Sequence, residues 1–113
     1  MSDNGWIGVD LDGTLAHYDG WKGIEHIGAP IEPMRQRVLK WLAEGQEVKI
    51  FTARVSRSGE EGDRARAYIE RWCLVQLGVI LPVTNVKDWA MIELWDARAV
   101  QVILNTGERA DGK

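Results

Sequence analysis

Two carboxylates, Asp10 and Asp12, stand one residue apart where an apolar run ends, in the stretch "GWIGVDLDGTLAHYDG". Like charges that close oppose each other's ionisation and raise the local pKa values. Folding by itself has little use for such a pair, so the spacing asks for something positive between them. Three further polar groups occupy comparable places. Thr52 closes the run "EVKIFTA", Asp96 closes "MIELWD", and Lys87 lies in the polar stretch between those two runs.

These groups meet only if the chain brings the ends of separate segments together. Trp6 to Asp10 reads as a short buried strand, apolar until its polar end. Residues 13–30 are rich in glycine and polar residues and form a flap-like segment, with a hairpin signal at Asp19-Gly20. A helix is predicted from Pro33, with Met34, Val38, Trp41 and Leu42 at helical spacing and Gly45 to stop it. "EVKIFTA" (47–53) is the next strand. Ser58 and Glu61 have capping-box spacing at the start of a second helix that runs to about Leu77, before Gly78. "VILPV", "MIELWD" and "VQVIL" complete a set of about five strands. Strands alternating with helices predict an α/β fold, a three-layer doubly wound parallel sheet, because parallel neighbours need crossover connections. Ligands of such sheets collect at the carboxyl ends of the strands, beside the topological switch point. Asp10, Asp12, Thr52 and Asp96 should therefore converge in one crevice.

The chain of 113 residues suits one domain, residues 1–113, with a frayed tail at about 107–113. Its composition, 45% hydrophobic and 27% charged, is that of an ordinary soluble globular protein. A net charge of −3 offers no general attraction for nucleic acid or an anionic membrane. Cys73 is the single cysteine, so no internal disulfide forms, and its helical spacing with Ala65, Ile69 and Trp72 predicts a buried thiol. No apolar stretch is long enough to span a bilayer, and "MSDNGW" lacks the charge and apolar core of a leader. A reducing, cytoplasmic setting is the expectation. The six tryptophans are mainly core candidates, whereas Trp21 at the hairpin tip is placed to meet a substrate.

The motif "DLDGTLA" resembles the first motif of the haloacid dehalogenase (HAD) superfamily, Asp-x-Asp-Gly-Thr-Leu. "IFTAR" resembles its second motif, Lys87 matches the third-motif lysine, and Asp96 in "ELWDARAV" matches the fourth-motif acid. The resemblance spans residues 6 to about 103. It implies a Rossmann-like core and a magnesium-dependent phosphomonoester hydrolase acting through an aspartyl-phosphate. Asp10 would then be the nucleophile, and Asp12 the acid and later the base. Thr52 and Lys87 would hold and neutralise the phosphate. The resemblance further places Leu11, Asp12, Thr52, Ala53, Arg54 and Lys87 around the phosphate. It places magnesium against Asp10, the Asp12 carbonyl and Asp96, all hard oxygen donors. Where many small relatives carry two adjacent acids at the fourth motif, this chain reads Asp96-Ala97-Arg98, with Glu93 upstream.

Each residue also has a plainer reading. Asp12 can be a turn acid, Thr52 a strand-end hydroxyl, Lys87 a solvated loop lysine and Asp96 a strand cap. Arg54 serves equally as a phosphate ligand or as partner to a neighbouring acid. Two other classes compete. A receiver-type phosphoacceptor needs an acid at the end of an internal strand, where "KIFTAR" presents Thr52. A non-catalytic HAD-like phosphate-binding or regulatory module would keep the fold without turnover. Neither the interval from Thr14 to Glu47 nor that from Thr52 to Lys87 has room for a cap domain, so the crevice is expected to be open. An open crevice suits a macromolecular phosphate such as a polynucleotide end, which the net charge does not favour, although Arg54, Arg57 and Lys22 offer a local patch. It also suits a phosphorylated small molecule, with a second subunit of a homo-oligomer covering the site.

Overall fold

Four short runs rich in β-branched and aromatic residues form one sheet: β1 (Trp6–Val9), β2 (Glu47–Phe51), β3 (Val83–Thr84) and β4 (Met91–Trp95). A computed structural model describes residues 5–112 of the chain. Residues 1–4, on which the leader reading partly rests, and the last residue of the tail lie outside the described residues. All neighbouring strands are parallel, in the order β3-β2-β1-β4.

Helix α1 (Glu32–Ala43) joins β1 to β2, and helix α2 (Gly59–Leu77) joins β2 to β3. Right-handed crossovers that keep stepping in one direction put their helices on one face of the sheet. The core follows from that placement. Ile7 and Val9 stand beside Val48 and Ile50 on the helix-facing side, and all four share a buried cluster with Met34 and Val38 of α1 and Ile69 and Cys73 of α2. Trp6, one residue out of phase, faces the other way. Its indole donates to Asp88 Oδ1 at 2.8 Å, and the Lys49 ammonium lies 4.6 Å from its ring.

The described residues thus make two layers and a four-stranded sheet, where the sequence led us to expect three layers and about five strands. The cause is the β3–β4 connection: residues 85–90 cross past Trp6 too briefly to form a helix. Two strand expectations change with it. "VILPV" yields only its end, because Pro82 has no N–H for a ladder; its carbonyl accepts from Ile50 N at 2.8 Å, while Val79 and Ile80 remain exposed. "VQVIL" is a small hairpin rather than a sheet strand. Ile103 N donates to Glu108 O and Ala110 N to Gln101 O, both at 2.8 Å, so the expected frayed tail folds back on it. The capping box at Ser58 does not form either. The Ser58 side chain makes no cap hydrogen bond, and Glu61 Oε1 instead accepts from Arg57 Nη1 at 3.2 Å, a charged partner. Gly78 ends α2 as expected, in the left-handed region at φ +80°. Among the described residues, no helix is long and apolar enough to cross a membrane.

Candidate functional site

Parallel strands deliver their carboxyl ends to the same edge, and the polar residues gather there. Asp10 follows β1 directly, and its backbone N–H donates to Trp95 O at 2.9 Å, which ties the ends of β1 and β4 together. The chain then turns back sharply. The Leu11 carbonyl accepts from the amides of Thr14, Leu15 and Ala16, and Gly13 sits at φ +86°, where an L side chain is strained. Leu11 and Leu15 are fully buried and anchor this turn. Thr14 reaches across to the fourth strand, where its Oγ1 accepts from Ala97 N at 3.0 Å. Asp96 Oδ1 accepts from Arg98 N at 2.8 Å, shaping the turn after β4.

A cleft of about 420 Å³ opens at this edge. Asp10, Asp12, Thr52, Ala53 and Arg54 all line it, so five of the expected site residues come together. Asp96 is half-buried nearby and acts on Asp10 through its charge. Burial, then the charges of Asp96 and Asp12, push the Asp10 carboxyl up to about 6, against the opposing effects of the Leu11 amide and the Arg98 guanidinium. The like-charge repulsion expected from the sequence therefore opposes the ionisation of Asp10. Thr52 is buried, and its Oγ1 accepts from Arg54 N at 3.1 Å, which leaves its O–H to be donated elsewhere.

Arg54 takes the second of its two readings. It grips Asp12 with two bonds, Nε to Oδ2 at 2.7 Å and Nη2 to Oδ1 at 2.8 Å. The same guanidinium donates to the Ile24 and His26 carbonyls of the flap and lies 4.8 Å from the Trp21 ring. With its side chain only 5% exposed, it rivets the flap to the turn after β1. His17 and His26 themselves are exposed.

Lys87 lies exposed in the 85–90 connection and is not among the residues that line the cleft. Leu11 is fully buried and is not among the residues that line the cleft. Glu93 accepts from the Trp95 indole at 3.0 Å and does not line the cleft. Residues that the sequence reading did not place at the site also line it: Arg98, Ser56, Glu61 and Tyr18. Arg98 had a signal, since it stands two residues after Asp96 on a strand-end turn, as Asp12 does after Asp10.

Among the described residues, no three Asp, Glu, His or Cys side chains converge to hold a metal unaided. The set that the resemblance implies is different, two carboxylates and a backbone carbonyl. Asp10 and Asp96 interact closely enough for one charge to raise the other's pKa, and this excess of hard, negative oxygen suits a small dication.

No family model matches the chain, and no curated protein does. Among solved structures, a conserved protein coded by a locus of Bacteroides thetaiotaomicron is similar, with a TM-score of 0.60 and 20% identity over 87% of this chain and 79% of that one. At that identity the likeness is one of fold alone.

Proposed function

We propose that this chain is a phosphomonoester hydrolase of the HAD type that works through an aspartyl-phosphate on Asp10. The observation that carries the reading is the meeting of Asp10, Asp12 and Thr52, from the ends of two strands, in one cleft lined by three arginines. We assign the sheet to a Rossmann-like core of that superfamily, a reading supported by the order β3-β2-β1-β4 and by the polar residues at the carboxyl ends of β1, β2 and β4.

The Asp10 carboxylate attacks phosphorus, forming an acyl phosphate as the ester P–O bond breaks. Asp12 gives a proton to the departing oxygen. In the second step, water attacks the same phosphorus and returns a proton to Asp12, and inorganic phosphate leaves Asp10. For Asp12 to hold that proton, Arg54 must release it, and an incoming phosphate offers the guanidinium another bidentate anion. Thr52 donates its hydroxyl to a phosphate oxygen. We give charge neutralisation to Arg98, which lines the cleft and already acts on Asp10. Asp10, Asp96 and the Asp12 carbonyl would hold magnesium, which when bound polarises the phosphate and offsets its charge.

One observation favours a second reading. The two-bond grip of Arg54 on Asp12 is the geometry of a permanent ion pair, and would suit a phosphate-binding module without turnover. A generic aryl phosphate assayed with magnesium separates the two. Turnover that disappears in Asp10→Asn, with labelled phosphate trapped on Asp10 in the native chain, supports the hydrolase. Phosphate binding without turnover supports the module.

A further inference from the structure

We infer that the flap side of the cleft is a subsite for a planar aromatic ring, so that the substrates are small phosphomonoesters carrying an aromatic or heteroaromatic group. The inference rests on the hydrolase reading and narrows its substrate class. Two aromatic side chains of the flap, Tyr18 and Trp21, line the same cleft as Asp10 and Thr52, and both stay largely exposed, at 47% and 57%. Exposed rings are ordinarily left without a role, but these two stand at the mouth of a concave, charged site. Trp21 is also held in place. The Arg54 guanidinium lies 4.8 Å from its ring, and Arg54 is itself held to the flap by the Ile24 and His26 carbonyls. A ring so pinned loses little conformational freedom on binding a flat partner. Ile24 adds an apolar wall to the same side.

Charge and size choose among aromatic phosphates. Arg57 and Arg98 line the cleft together with Tyr18 and Trp21, so an anionic group and a planar group can be held at once. At about 420 Å³, the cleft has the dimensions of a small-molecule site. A polynucleotide would need a basic track beyond the cleft, whereas the chain carries a net charge of −3 and Glu61 stands at the cleft itself.

The test compares two esters that share a primary sugar phosphate and differ by a heteroaromatic base, adenosine 5′-monophosphate and ribose 5-phosphate. The native chain should favour the first in kcat/KM by about tenfold, the fold-change of one stacked ring. That ratio should fall toward one in Trp21→Ala, chiefly through KM, and return largely in Trp21→Phe. A ratio unmoved by Trp21→Ala, a native preference for ribose 5-phosphate, or a higher kcat/KM for a 5′-phosphorylated oligonucleotide would overturn the inference while leaving the hydrolase reading intact. If no ester turns over, the hydrolase reading fails by itself, and calorimetric binding of the same two compounds decides the subsite. Preferential binding of the adenosine compound that is lost in Trp21→Ala then supports it, and equal binding overturns it.

Discussion

Asp10 carries the largest electrostatic tension at the cleft, and that tension has a sign that stability measurements can read. Its carboxyl keeps a proton up to about 6 in the folded chain, against an ordinary value of 3.8. The folded state therefore binds the proton more tightly than the unfolded state does. The stability this adds is complete below 3.8 and is lost as the pH rises to about 6. Asp10→Asn stays neutral throughout. In chelator-treated protein, its melting temperature should exceed that of the native chain at pH 7.5, and the two should converge toward pH 4. A gap that widens on acidification would show that burial and neighbouring charge are not what raises this carboxyl. The cation assignment is also tested at this scale. Arg98 lines the cleft and Lys87 does not, so Arg98→Ala should lower kcat/KM roughly a hundredfold or more, the scale of losing one preorganised charge. Lys87→Ala, as a lysine exposed on a connecting loop, should cost less than Arg98→Ala. The reverse order in steady-state kinetics would return the role to the lysine that the resemblance nominates.

Among the elements, the flap is held in place both by its own backbone and by a tie from outside. Its two ends are drawn together by His17 N to Ala29 O at 2.8 Å and Ile31 N to Leu15 O at 2.7 Å. From outside, the Trp72 indole of α2 donates to Gly28 O at 3.0 Å. At Gly28 the crossing is so close that an added Cβ would meet His17 O at 2.1 Å, a backbone atom with no room to yield. Gly28→Ala must therefore separate the flap ends, and it should destabilise the fold by about 1–3 kcal/mol, the usual cost of overpacking. Because the flap also carries Trp21 and the carbonyls that hold Arg54, KM should rise as well. Denaturant unfolding and kinetics on the same variant check both effects. Native stability in Gly28→Ala would mean that the flap ends part without cost. Trp72→Phe removes the outer tie but leaves the backbone crossing intact, so it should loosen the flap less, although it also costs core packing.

Over the whole molecule, the one-sided placement of both helices gives the sheet two unlike faces. The helix side holds the buried cluster, while on β4 Ile92 and Leu94 remain 53% and 37% exposed. Cys73 lies inside that cluster with no exposed surface, and burial pushes its thiol up to about 11. At pH 8 the reactive thiolate is then on the order of a thousandth of the total even before access is considered. Alkylation of Cys73 should wait for the opening of the core, and its rate across a denaturant series should follow global unfolding. Rapid labelling under native conditions would show that α2 detaches locally from the sheet.

Much of this was legible from local signals. Both ends of the first helix and the end of the second could be read because Pro33, Gly45 and Gly78 act through backbone geometry alone. The strand-end positions of Asp10, Thr52 and Asp96 could be read because an apolar run stopping at a polar residue is itself a local pattern. Other features depended on distance in space. That Arg54 grips Asp12, 42 residues away in sequence, required β1 and β2 to lie side by side. The absence of a helix layer on the Trp6 side among the described residues turned on how few residues join β3 to β4. Sequence by itself determined which residue types stand at the strand ends, since periodicity and backbone stereochemistry act within a few residues. Only the tertiary structure decided which charges and rings share the cleft, because a salt bridge or a stacked ring depends on separations of a few ångströms that the packing of the sheet sets.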